Sequence, residues 1–219
     1  RWTHDDGRVM SPIDFIPVAE ESGLILPLGR WALDAAMRTL ADWDRRAGML
    51  LPVRMGVNVS PIQIARDDMA TMITEALAAH GLGGDRLMIE ITESAIIADP
   101  ERANRVLEEL KLIDTKIAMD DFGTGYSSLA FLQKLPIDML KIDRSFVGRM
   151  LTDRDSLAIV RAVLSLAESL GMSTTAEGIE TVELAETLTA LGCSAGQGFY
   201  FSEPLPADAA FAYWAGRNS

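Results

Sequence analysis

Apolar and polar positions along this chain switch repeatedly between two periods. Six short runs read as β-strands: LPVRMGVNVS (51–60), RLMIEIT (86–92), KIAMD (116–120), MLKID (139–143), STTAEG (173–178) and a last one around SAGQGF (194–199). Stretches with helical spacing separate them. Residues 28–47 carry Trp31, Ala35, Leu40 and Trp43 among charges, with Gly48 as a cap. Residues 60–80 open on Ser60-Pro61 and stop at Gly81; residues 99–112 open on Asp99-Pro100. Residues 153–170 end at Gly171, 181–191 end at Gly192, and 207–214 form the last helical pattern. Between KIAMD and MLKID, FGTGYSS reads as a Gly/Ser loop and LAFLQKL (129–135) as a short helix.

Strand and helix patterns alternate, and no hairpin signal of the Asn-Gly kind is read between the strands. Sequential parallel strands joined by right-handed helical crossovers follow from this order. Six βα units suit a (β/α)8 TIM-type barrel better than an open sheet, with the N-terminal strand region missing from the chain. No linker or low-complexity run divides it, so residues 1–219 are read as one domain.

Composition narrows the possible functions. Hydrophobic residues make up 48% of the 219, enough for a large core and too many for a disordered chain. A net charge of −12 excludes a phosphate-tracking surface for polymeric nucleic acid, although metal ions can still bring a small nucleotide to an acidic site. Cys193 is the sole cysteine, which fits a reducing, cytoplasmic setting and is read as a small buried apolar residue. No apolar run reaches the length of a membrane span, and no signal peptide is seen. Arg1-Trp2 lacks an initiator Met and reads like the middle of an element, so the chain is expected to be a piece of a larger signalling protein.

The strand ends hold the candidate chemistry: Asn58, Glu90, Asp120, Asp121, Lys141, Glu177 and Gln197. In a barrel of this class, functional side chains gather at the C-terminal ends of the strands. Adjacent residues of a strand face opposite ways, so Asp120 and Asp121 share a site only where the strand breaks; the following Phe122-Gly123-Thr124-Gly125 is expected to supply that break. Four carboxylates and an amide oxygen form an all-oxygen donor set, which selects Mg2+ or Mn2+ over zinc. Two such ions can bridge a water and stabilise the entering and leaving oxygens of a phosphoryl group. Lys141 among acids stays protonated, which makes it an orienting cation rather than a free base. The residues alone leave simpler readings open. Asp120-Asp121 can be a turn pair, Asn58 and Gln197 can be turn residues, and Lys141 can be a surface lysine.

In order and spacing, MIEITES, DDFGTGYSSL, LKIDRSF, AEGIE and QGFYFSEP resemble the EAL-domain phosphodiesterases that hydrolyse cyclic di-GMP. RW-x-H followed by SPIDFIPVAEESGLI is similar to the segment just downstream of that family's Glu-Ala-Leu signature. The resemblance implies that Asn58, Glu90 and Asp120 bind one metal and that Asp120, Asp121 and Glu177 bind a second. It implies that Lys141 and Gln197 orient the hydrolytic water, and that Glu93 holds the DDFGTGYSSL loop, a segment tied to substrate binding and dimer communication. Arg1 resembles a phosphate-contacting arginine; Glu180 and Pro204 resemble residues lining the guanine site. The signature glutamate, a metal ligand in the family, would precede Arg1 and is not in this chain. The implied activity is metal-dependent hydrolysis of cyclic di-GMP to linear pGpG, in a homodimer fused to upstream sensory or GGDEF-type domains. A non-catalytic cyclic di-GMP receptor is the alternative.

Overall fold

A short antiparallel hairpin opens the described part of the chain: β1 (Trp2–Thr3) pairs with β2 (Val9–Met10), Trp2 opposite Met10. The computed structural model describes residues 2–123 and 132–217. The hairpin corrects the sequence reading, and its signal is Asp6-Gly7. Gly7 takes φ 84°, a left-handed conformation that costs glycine little. Two helices then follow in succession, α1 (Pro12–Ser22) and α2 (Ile25–Ala47). α1 is an addition to the predicted helices, and Ser11-Pro12 carries the same cap-then-proline signal that marks helix starts elsewhere.

Six parallel strands make up the main sheet: β3 (Met55–Val59), β4 (Leu87–Thr92), β5 (Lys116–Phe122), β6 (Met139–Ile142), β7 (Ser173–Ala176) and β8 (Ala195–Gly196). They pair in sequence order, as expected for successive crossovers. The pattern over 60–80 predicts one helix for the crossover between β3 and β4, but there are two, α3 (Pro61–Arg66) and α4 (Met69–His80). The break has a local cause. Asp67 is extended, its carboxylate paired with Arg30 of α2, while Asp68 accepts a hydrogen bond from the Thr71 N–H and so caps a new helix. α5 (Glu93–Ala98) and α6 (Pro100–Leu112) follow β4; α7 (Arg144–Val147) and α8 (Arg154–Leu170) follow β6. α9 (Val182–Ala190) precedes β8, and α10 (Ala207–Arg217) ends the described chain. The helix expected over 129–135 lies largely outside the described residues.

Side-chain alternation divides each strand between two surfaces. Leu87, Ile89 and Ile91 of β4, Ile117 and Met119 of β5, and Leu140 and Ile142 of β6 are almost fully buried in one hydrophobic core with Ile73, Leu77, Leu107, Leu110, Val160 and Val163 of the helices. The opposite, concave face carries Asn58, Glu90, Asp120 and Lys141. β3 and β8 are the sheet edges among the described residues, and Asn58 and Gln197 are exposed there. On the helical side, α10 reaches back to α2. Asp208 pairs with Arg46 at 2.7 Å, and the Arg46 guanidinium lies 4.1 Å from the Phe211 ring centre. This is an α/β half-barrel that presents one polar concave surface.

Candidate active site

Strand register decides which side chains meet. Asn58 lies opposite Glu90, Glu90 opposite Ala118, and Thr92 opposite Asp120, so these acids and the amide occupy one concave surface. On β6, Lys141 lies opposite Thr175 of β7, two residues before Glu177. Glu177 follows the end of β7, where its backbone N–H still donates to the Ile142 carbonyl at 3.1 Å.

Asp120 and Asp121 share this surface by a route other than the expected one. The strand does not break at Phe122-Gly123; it continues through Phe122. The irregularity lies within it. The pairing of β5 with β6 shifts between Met119 and Phe122, and Asp121 itself takes φ 54°. A bulge with a left-handed residue cancels the alternation that would otherwise send Asp121 to the core side. A non-glycine residue held in this conformation is strained, and such strain concentrates at functional sites.

Lys141 sits at the centre of the cluster, its side chain only 6% exposed. Its ammonium donates to Glu90 Oε2 at 2.6 Å, Glu177 Oε1 at 2.7 Å and Asp120 Oδ2 at 3.0 Å. Burial works against the lysine's charge, but the bonds to Glu177 and Glu90 and the charges of Glu90 and Asp120 outweigh it and push its pKa above the usual lysine value. Burial, with the charges of Asp120 and Glu90, pushes the Glu177 carboxyl up despite its bond to Lys141. Asp121 is pushed up by burial and by the charges of Asp120 and Asp143. Both shifts say the same thing: one ammonium does not neutralise the gathered acids. Carboxylate oxygens of Asp120, Asp121 and Glu177 lie within 4.8 Å of one another, a spacing that can hold a metal ion.

The remaining candidates lie around this centre. Gln197 N–H donates to the Ala176 carbonyl at 2.8 Å and its carbonyl accepts from Ile179 N–H at 3.0 Å, which sets the β8 end beside the Glu177 turn. Gly198 permits that approach, because a Cβ there would lie 2.1 Å from the Ile179 carbonyl oxygen. Glu93, the first residue of α5, is buried behind the β4 end. Glu180 and Pro204 are exposed, on the turns that follow β7 and β8, and neither bonds to the acid cluster. Arg1 and much of the DDFGTGYSSL run lie outside the described residues. Two neighbours escaped the sequence reading. Asp143 is visible in LKID, and its charge acts on Asp121. Gly56 lies two residues before Asn58 on the same face of β3.

Comparison with known proteins gives the chain its family and agrees with its fold. Residues 1–204 match the family model described as EAL domain. A signalling protein of Caulobacter vibrioides is 46% identical over 209 residues, 95% of this chain and 25% of its own length. The bifunctional diguanylate cyclase/cyclic di-GMP phosphodiesterase MucR of Pseudomonas aeruginosa is 39% identical over 95% of this chain and 30% of its own. The chain thus spans less than a third of these two relatives. A solved structure of PaMucR phosphodiesterase in complex with c-di-GMP superposes with a TM-score of 0.91 at 39% identity, over 96% of this chain and 84% of that one. The chain belongs to the EAL domain family.

Proposed function

We propose that this domain is a metal-dependent phosphodiesterase that hydrolyses cyclic di-GMP to linear pGpG. The observation that carries the reading is the convergence of Glu90, Asp120, Asp121 and Glu177 around a single ammonium, that of Lys141. Four carboxylates against the Lys141 ammonium and the nearby Arg144 charge still leave an excess of negative charge that divalent ions offset, and a donor set of oxygens alone suits Mg2+ or Mn2+. Asn58, Glu90 and Asp120 would hold one ion; Asp120, Asp121 and Glu177 would hold the other. Bound there, two ions supply an activated water and neutralise charge at the phosphoryl group.

The chain's own residues do the rest. Lys141 keeps its proton and acts as a fixed cation that orients water and phosphate oxygens. Gln197, on the turn locked to Ile179, adds a polar group beside Glu177. Arg1, Glu180 and Pro204 contact the nucleotide, and Glu93 holds the DDFGTGYSSL loop. Residues 1–219 act as one domain of a larger cytoplasmic signalling protein, paired as a homodimer and fused to sensory or GGDEF-type domains. No described helix is long and apolar enough to cross a membrane.

Turnover of cyclic di-GMP with Mg2+, with Mn2+ and with EDTA tests the reading, on this chain and on a longer version that carries a Glu-Ala-Leu segment before Arg1. Asp120→Asn should lower the rate at least about 100-fold, since it removes the carboxylate that would serve both ions. An unchanged rate in that variant sinks the mechanism. Binding of cyclic di-GMP by the longer version without any turnover makes the domain a receptor instead.

A further inference from the structure

Gly56 is a glycine that neither backbone conformation nor pairing requires. It sits inside β3, in register with Met88, and the strand is regular on both sides of it. Glycine weakens a strand interior, and its presence there marks a close approach by another group. The approaching group is Glu90. A Cβ at position 56 would lie 2.3 Å from Glu90 Oε1 and 3.2 Å from Glu90 Cδ, so the carboxylate occupies the volume an alanine methyl would take. On the other flank Glu90 faces Ala118, which is fully buried. Glu90 therefore lies in a notch between two small residues, and from it the second oxygen, Oε2, reaches Lys141 at 2.6 Å.

We propose that Gly56 is a positioning residue: the space left by its missing side chain sets the orientation of Glu90, and through it both the Lys141 bond and the first metal position. The metal part of this rests on the function proposed above. Alanine at 56 keeps the backbone and improves strand propensity, yet it evicts the carboxylate, which cannot rest in the notch and hold Lys141 at the same time.

A double-mutant cycle tests this, with Gly56→Ala placed in the native, Glu90→Ala and Glu90→Gln backgrounds. Thermal unfolding in EDTA and Mn2+ titration by calorimetry are the two readouts. In the native background, Gly56→Ala should lower the melting midpoint and weaken Mn2+ binding about tenfold or more. In Glu90→Ala, where the notch is empty, it should leave the midpoint unchanged and the Mn2+ affinity within about twofold. In Glu90→Gln, which keeps the volume, the midpoint loss should persist. Equal losses in the native and Glu90→Ala backgrounds, or no loss in the native one, overturn the proposal. A loss that vanishes in Glu90→Gln also overturns it, because the conflict would then be one of charge and not of space. If the native protein takes up no Mn2+, the metal reading fails and the melting cycle alone decides the role of Gly56.

Discussion

Replacing Lys141 with methionine keeps an unbranched side chain, one atom shorter, and removes the ammonium with its charge and its N–H donors. In the native chain that charge is shared among Glu90, Asp120 and Glu177 at 2.6–3.0 Å, with the lysine almost fully enclosed. Removing one partner of a buried ion pair costs about 3–5 kcal/mol, because the other charge stays buried without compensation. The lower end applies here, since the acids can relax toward solvent and take up protons. About 3 kcal/mol corresponds to a fall of about 6–12 °C in melting temperature for a chain of this length. The pH dependence carries the sharper test. Glu177 and Asp121 already have raised pKa values from burial and neighbouring acids, and loss of Lys141 raises that of Glu177 further. A carboxyl whose folded pKa exceeds its unfolded value keeps its proton in the folded state after the unfolded state has lost it, so stability falls as pH rises through that window. The deficit of Lys141→Met should therefore shrink from pH 8 toward pH 5, read by differential scanning calorimetry in EDTA. A deficit equal at both pH values, or below about 1 kcal/mol at pH 8, refutes the view that uncompensated carboxylates dominate this site.

Two further outcomes follow from ordered contacts away from the site. Asp44 takes two hydrogen bonds from Arg86, at 2.9 and 3.0 Å, and one from the Leu51 N–H at 2.8 Å. Burial pushes its carboxyl up, but these bonds and the Arg86 charge outweigh that and hold it below the usual range. A depressed folded pKa adds stability above the unfolded value and loses it as pH falls through the folded one. Asp44→Asn should thus flatten the acid limb of a urea-unfolding pH profile and cost about 3 kcal/mol at pH 7, where Arg86 is left unpaired; an unchanged acid limb contradicts this. Gly29→Ala within α2 should destabilise, although alanine is the better helix former by about 1 kcal/mol. A Cβ at 29 would lie 2.0 Å from Gln63 Nε2, and Gln63 Oε1 accepts the Ser60 N–H that opens α3. A rise in melting temperature for Gly29→Ala would show that Gln63 yields freely.

Much of this protein is legible in its sequence. Short apolar runs located the six strands of the main sheet, and those of β4, β5 and β6 alternate because one face packs in the core and the other carries the polar site. Ser60-Pro61, Asp99-Pro100 and Asp153 located helix starts, because a side-chain oxygen at the cap accepts an orphan N–H and a proline, where one follows, removes another. Strand ends pointed to the acids and to Lys141, and the motif order pointed to the family.

The misses share a physical origin. α3 and α4 separate at Asp67-Asp68: the Asp68 cap on Thr71 lies within residues 60–80, but the Arg30 partner of Asp67 comes from another helix and nothing in that stretch reveals it. Asp121 joins Asp120 through a bulge and a left-handed φ that depend on the register against β6, not on the glycines that follow. Gly56 reads as a weak spot in a strand until Glu90 is seen lying across it. Local propensity and periodicity depend on neighbours along the chain, so the linear text contains them: the elements, their order and the side chains offered to one face. Register, charge balance around Lys141 and the notch at Gly56 depend on residues dozens of positions apart, and these exist only once the sheet has curled and brought β3 through β7 together.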